Sequence, residues 1–187
     1  NQNTSDSKKP QNSSTTNKLK KQKITKVSST YKKSVGQSFT LKPKAKGKIT
    51  YKTGNKKVAT VNSKGKVTVK GTGKATITVT AKATSTYSKC VKKITVYGVP
   101  KKPEMKKLTA GKKKFTVQWK KDKKADGYQV QYSTDKKFKK NVKSVVIGKK
   151  QTTKQTIKKL KTGKKYYVRI RSYKKINGKK YYGTWSS

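Results

Sequence analysis

Acid–base and nucleophilic chemistry in proteins rests on carboxylates, imidazoles, thiols and activated hydroxyls, and this chain is poor in the groups that do the activating. Its carboxylates are Asp6, Glu104, Asp122, Asp126 and Asp135, its one thiol is Cys90, and it has no histidine. A serine or cysteine nucleophile therefore lacks its ordinary base. Asp122 and Asp126 lie in KKDKKADGY, just ahead of an apolar alternation, where turn chemistry and flanking lysines account for them without an acid/base or calcium role. The run from Lys18 to Gly98 has no acid, so no carboxylate metal site can be built inside it. The expectation is no enzyme, no catalytic residue, no cofactor and no metal.

Three other groups of residues could still act. Cys90, in YSKCVKKITV, is either a small, partly buried apolar side chain or a thiol activated by Lys89, Lys92 and Lys93. Tyr167, Arg169, Arg171 and Tyr173 alternate along one run near Tyr181, Tyr182 and Trp185. Such a set could stack on sugars or bases, or its rings and long basic stems could cover each other on a solvated sheet face. Lysines are the largest group: 54 basic residues against 5 acidic give a net charge of +49. Lys64, Lys66, Lys70 and Lys74 are placed between inward residues and so project to solvent in any correct sandwich, where they also block edge-to-edge pairing. Only Arg169 and Arg171 are arginines. Lysine is a hydrated point charge without arginine's bidentate fork, so the excess implies diffuse contacts to anionic polymers.

The elements that must carry these residues are strands. Hydrophobic content is low, at 28%, but apolar residues alternate with polar ones in short runs: Phe39 and Leu41; Val67 and Val69; Ala75, Ile77, Val79 and Ala81; Ile94 and Val96. Period two means a strand with one buried face. Turn signals such as Ser63-Lys64-Gly65 and Gly71-Thr72-Gly73 recur at the short spacing of a sandwich. After Gly98-Val99-Pro100-Lys101-Lys102-Pro103 the alternation resumes with heavier residues, including Phe115, Val117 and Trp119, then Tyr128, Val130 and Tyr132. The fold class is all-β, two Ig-like β-sandwich domains in tandem: residues 23–98 and 103–187, joined by a short linker over 99–102. Residues 1–22, with Leu19 as their only large apolar side chain, read as a disordered polar linker. No apolar run approaches the roughly 20 residues of a membrane span, and the sequence from Asn1 onward reads as a polar segment without the apolar core of a signal peptide. The expectation is a piece of a longer chain, monomeric and without membrane insertion.

Val58-Ala59-Thr60-Val61-Asn62, Gly65, Val67-Thr68 and Ala75-Thr76-Ile77-Thr78-Val79, with Tyr51 before them and Ile94-Thr95-Val96 after, resemble the signature of bacterial Ig-like group 2 domains. Phe115, Val117 and Trp119, the run Gly127–Tyr132, and Leu160 ahead of Tyr166 resemble a fibronectin type III domain, whose tyrosine corner bonds a phenol back to upstream backbone. An apolar last strand is missing after Trp185-Ser186-Ser187, so that strand is expected to be truncated or unusually short. Pairs of this kind are similar to modules of secreted or wall-attached proteins of Gram-positive bacteria. The resemblance implies an extracellular, cell-surface or cell-wall location and a non-catalytic role. Some such surface domains form lysine–asparagine isopeptide crosslinks beside a carboxylic acid, and Glu104 is the formal candidate against a plain solvated acid.

The expected function is an accessory module that spaces an attached domain and holds it electrostatically at anionic cell-wall polymers or host glycans. The alternative is an adhesin or carbohydrate-binding module using the aromatics of the second domain. Nucleic-acid binding is expected only as adventitious polycation behaviour, because no RNP, helix-turn-helix or finger signature is present.

Overall fold

The computed structural model describes residues 18–186. Seven strands build a first sandwich: β1 (Thr30–Ser34), β2 (Ser38–Thr40), β3 (Ile49–Thr53), β4 (Ala59–Val61), β5 (Lys66–Val69), β6 (Gly73–Ala81) and β7 (Cys90–Val99). Seven more build a second: β8 (Met105–Gly111), β9 (Lys114–Trp119), β10 (Gly127–Ser133), β11 (Lys143–Ile147), β12 (Lys154–Ile157), β13 (Tyr167–Ile176) and β14 (Lys179–Tyr182). The first pairs a sheet ordered β1-β7-β6-β3 with one ordered β2-β5-β4; the second pairs β11-β10-β13-β14 with β12-β9-β8. The protein is all-β, a tandem of β-sandwiches.

Alternation decides which side chains are covered. Along β6, Ala75, Ile77, Val79 and Ala81 are wholly buried while Lys74 is exposed and the threonines between them are half-buried. Their partners across β7 include Val96 and Ile94, in register with Ala75 and Ile77. Gly98 on that strand lies against the Gly71 carbonyl oxygen with no room for a Cβ, so a larger residue would push the β5–β6 link away from β7. In the second sandwich Phe115, Val117 and Trp119 of β9 face Tyr128, Val130 and Ile170 in one buried cluster. The Lys161 backbone N–H donates to the Tyr166 hydroxyl at 3.2 Å, which pins the loop ahead of β13 to the sheet.

Two expectations about the ends of the domains need correction. Of the polar linker read over 1–22, residues 1–17 lie outside the described residues, but 18–22 belong to the first sandwich: Lys20 bridges Tyr87 and Gln22 is buried. The Gln22 amide donates to the carbonyls of Lys82 (3.0 Å) and Ser88 (2.7 Å) and accepts from the N–H groups of Lys46 (3.1 Å) and Gly47 (3.0 Å). A polar side chain can anchor a segment when every donor and acceptor is matched, and a count of apolar residues does not see it. The last strand is also present, so of the two alternatives truncation is overturned, while at four residues the strand is short. It is β14, Lys-Lys-Tyr-Tyr, paired with β13 from Ile176↔Lys179 to Tyr173↔Tyr182, and beyond Gly183 the chain rejoins β13 through Ser186 and Ile170. It carries no aliphatic residue because it is an edge strand with half-buried tyrosines.

Replacing Gln22 with alanine strands two backbone N–H groups and two carbonyls, at a cost of about 1–3 kcal/mol. Both tryptophans, Trp119 and Trp185, lie in the second sandwich. The expected outcome in denaturant is an earlier first-sandwich transition by far-UV circular dichroism, with the tryptophan fluorescence transition unmoved.

Candidate functional site

The outer face of the second sandwich gathers the residues with the most specific geometry. On β13 the outward positions Arg169 and Arg171 lie opposite Gln131 and Gln129 of β10. Gln131 Oε1 accepts from Arg169 Nε (2.9 Å) and Nη2 (2.6 Å), and Gln129 Oε1 accepts from Arg171 Nε (2.8 Å). Held flat in this way, each guanidinium is stacked between rings. Arg169 Cζ is 4.1 Å from the Phe138 ring centroid and 4.4 Å from that of Trp185, while Arg171 Cζ is 4.2 Å from Trp185 and 4.0 Å from Tyr182. The result is a ladder: Phe138, Arg169, Trp185, Arg171, Tyr182. Burial lowers the pKa of both guanidiniums; at Arg171 the Tyr182 hydroxyl opposes that effect and the charge of Arg169 adds to it. Both remain charged, because arginine does not titrate in the accessible range.

The seven residues expected to share a face are not all in the ladder. Arg169, Arg171, Tyr182 and Trp185 are; Tyr167 is on the same face with Lys165 Nζ 5.6 Å from its ring centroid. Tyr173 is not available to a ligand, a correction to its expected exposure: it points to the outer face but is 2% exposed. Its opposite number on β10 is Gly127, where an added Cβ would lie 2.6 Å from the Tyr173 hydroxyl. The ring fills the place that any other residue would occupy, with Tyr182 against it at 5.6 Å and Lys180 Nζ at 5.1 Å. Tyr181 turns toward the first sandwich, its ring 6.4 Å from that of Tyr97 on β7. Lys64, Lys66, Lys70 and Lys74 are all exposed.

Sequence reasoning missed Phe138, Gln129 and Gln131. The glutamines were recoverable, since they occupy the outward positions of a strand whose inward ones are Tyr128, Val130 and Tyr132. Phe138 was not. It sits at φ 54°, in the left-handed region, inside a loop that the Asp135 carboxylate organises by accepting from the N–H groups of Lys137 (2.9 Å), Lys139 (2.7 Å) and Lys140 (3.1 Å).

Those bonds, the Lys137 N–H foremost, hold the Asp135 pKa below its ordinary value. The Lys175 N–H at 2.8 Å, followed by the charge of Lys174, does the same for Asp126. Asp122 accepts from the Lys124 N–H at 2.9 Å. Glu104 is exposed and 3.7 Å from Lys120. Cys90 is half-buried against the first core. Among the described residues no group of three His, Cys, Asp or Glu is placed to hold a metal ion.

Comparison with known families agrees with this architecture. The family pattern described as "Intimin, immunoglobulin-like domain" matches residues 37–84, and that of the fibronectin type III domain matches residues 99–185. The two matches, in that order, make an Ig-like plus fibronectin type III tandem. Both families are generally non-catalytic, and together they are the make-up of an extracellular or cell-surface module. Among solved structures, the FN1-FN3 domains of chicken CNTN1 are similar at 15% identity and a TM-score of 0.41, with 82% of this chain and 62% of that one covered. A cytokine receptor complex is similar at 10% identity and a TM-score of 0.48, with 89% and 99% covered. At these scores neither likeness carries an argument about ligands. No curated protein matches the chain. No helix among the described residues is long and apolar enough to cross a membrane.

Two outcomes follow from this geometry. Replacing Arg171 with lysine keeps the charge but removes the stack between Trp185 and Tyr182, so fluorescence should shift to the red and the fibronectin domain should lose about 1 kcal/mol. Acid should separate the domains. A carboxylate with a depressed pKa stabilises the fold above its unfolded value and loses that contribution as pH falls through the folded one. The melting temperature of the fibronectin domain should therefore fall below about pH 4, while that of the Ig-like domain, which has no carboxylate to protonate, stays level in the same scan.

Proposed function

We propose that this tandem is a non-catalytic accessory module that spaces an attached domain and holds it electrostatically at anionic polymers, those of the cell wall around it or of a host surface. The observation that carries this reading is the one-sided charge: 54 basic residues against 5 acidic. The charge is not consumed inside the fold, since among the described residues only Lys120 with Glu104 and Lys174 with Asp126 form lysine–carboxylate pairs. A surface of mixed sign would keep a sandwich soluble with less self-repulsion, so the fold alone gives no reason for avoiding acids. Many weak, hydrated lysine contacts suit a polymer that presents phosphate or other anionic groups at intervals, such as a teichoic acid.

The ladder bears on the alternative reading. Trp185 and Tyr182 would be the stacking rings of a carbohydrate platform, but guanidiniums already lie over them, and Tyr173 is covered. The arrangement supports a self-covered sheet face more than a sugar-binding one.

Retention on purified Gram-positive walls should be strong at low salt. It should fall steeply toward 1 M salt, where the Debye length shrinks to about 3 Å, and again once teichoic acid is stripped. Retention that ignores both treatments contradicts the proposal.

A further inference from the structure

Between the two sandwiches lies a cleft of about 620 Å³ lined by residues of both domains and of the segment joining them. Its ionic groups are Lys70 from the Ig-like domain, Lys101 from the junction, and Lys123, Lys124 and Lys174 from the fibronectin domain, against the single carboxylate of Asp122. Val35, Gly71, Thr72 and Pro100 complete the walls between the lysine stems. Of these five lysines only Lys174 has a carboxylate within ion-pair distance, Asp126 at 3.4 Å. Lys70, Lys101, Lys123 and Lys124 have none, so this concavity concentrates cations that the fold leaves uncompensated. Low-dielectric walls focus the field of such a group more than a convex surface does.

The joint that forms the cleft is built rather than slack. The Val35 N–H donates to the Val99 carbonyl at 2.9 Å, which ties the end of β7 back to the Ig-like domain. On the other side Ser172 Oγ donates to the Lys101 carbonyl at 2.8 Å. Pro100 is buried, and its carbonyl lies so near Gly183 that an added Cβ would come within 2.7 Å. Lys101 reaches across to the Ig-like domain, with Cε 3.7 Å from where a Cβ would stand on Gly36. The two walls therefore stand apart at a set distance before any ligand arrives.

We infer that the junction cleft is a preformed site for a segment of a phosphate-bearing polyol chain. It deepens the polyanion reading above and rests on it. Ammonium groups carried on aliphatic stems around apolar walls match a ligand that alternates phosphodiester charges with short carbon spacers. Binding there uses lysines of both domains at once, so the ligand also clamps the joint.

The test measures binding of a synthetic glycerol-phosphate trimer by titration calorimetry in physiological salt, to the full chain and to two triple variants. One carries Lys70→Gln, Lys123→Gln and Lys124→Gln in the cleft; the other carries Lys64→Gln, Lys66→Gln and Lys93→Gln, equally exposed and outside it. All six positions are exposed, and circular dichroism with tryptophan fluorescence confirms that both variants are folded. The expected result is a loss of roughly tenfold or more in the cleft variant and less than about threefold in the other. Equal losses overturn the cleft while leaving the diffuse polyanion reading standing; no trimer binding by the unaltered chain together with no retention on cell walls overturns both. Inorganic phosphate binding as tightly as the trimer would overturn the chain-segment assignment, and a sulfated oligosaccharide binding more tightly would overturn the phosphate class.

Discussion

Burial of alternate side chains between paired sheets is the interaction on which both domains depend, because it must hold the chain against its own charge. Val67, Val69, Ile77, Val79, Ile94 and Val96 are wholly buried in the Ig-like domain, and Val117, Tyr128, Val130 and Ile170 in the fibronectin domain. With a net charge of +49, self-repulsion opposes every compact state. Period two separates the two demands, since a strand that sends one residue inward sends the next to solvent, where a lysine costs the core nothing. The threonines and valines of the strands supply β-propensity and packing together.

From that constraint the remaining features follow as places where packing alone is not enough. Where apolar residues run out, buried polar groups take over with their partners matched, as Gln22 does at the entry to the Ig-like domain. On the outer face of the fibronectin domain, Arg169 and Arg171 are held by glutamine carbonyls and covered by rings, so two like charges lie side by side without needing an acid. Tyr173 lying over Gly127 and Tyr182 lying over Arg171 make one continuous aromatic and cationic sheet surface. The lysines, by contrast, are largely free of internal work, and that freedom is why their charge is read as function.

How much of this was legible in the sequence depends on how local its cause is. Strand faces, the turn at Gly65 and the corner at Tyr166 follow from alternation, a φ of 77° and the spacing to Leu160, all within short windows. The arginine pair and its companions Tyr182 and Trp185 were legible as a face for the same reason. The burial of Tyr173 was not, because it depends on a glycine 46 residues away that leaves a vacancy across a strand pair. Gln22 escaped because its four partners come from three separate segments. The strand Lys179–Tyr182 escaped because an edge strand covered by tyrosine rings has no aliphatic residue to announce it.

The central claim is that the lysine surface serves binding and not the fold. It is tested most directly by a variant in which Lys64, Lys66, Lys74 and Lys93 of the Ig-like domain become glutamate, followed by thermal melting at low salt and retention on teichoic-acid-bearing walls. The account predicts that the two readouts move apart: a higher melting temperature, as repulsion is relieved, and weaker retention. A variant that melts no higher and is retained as well as the unaltered chain would contradict it.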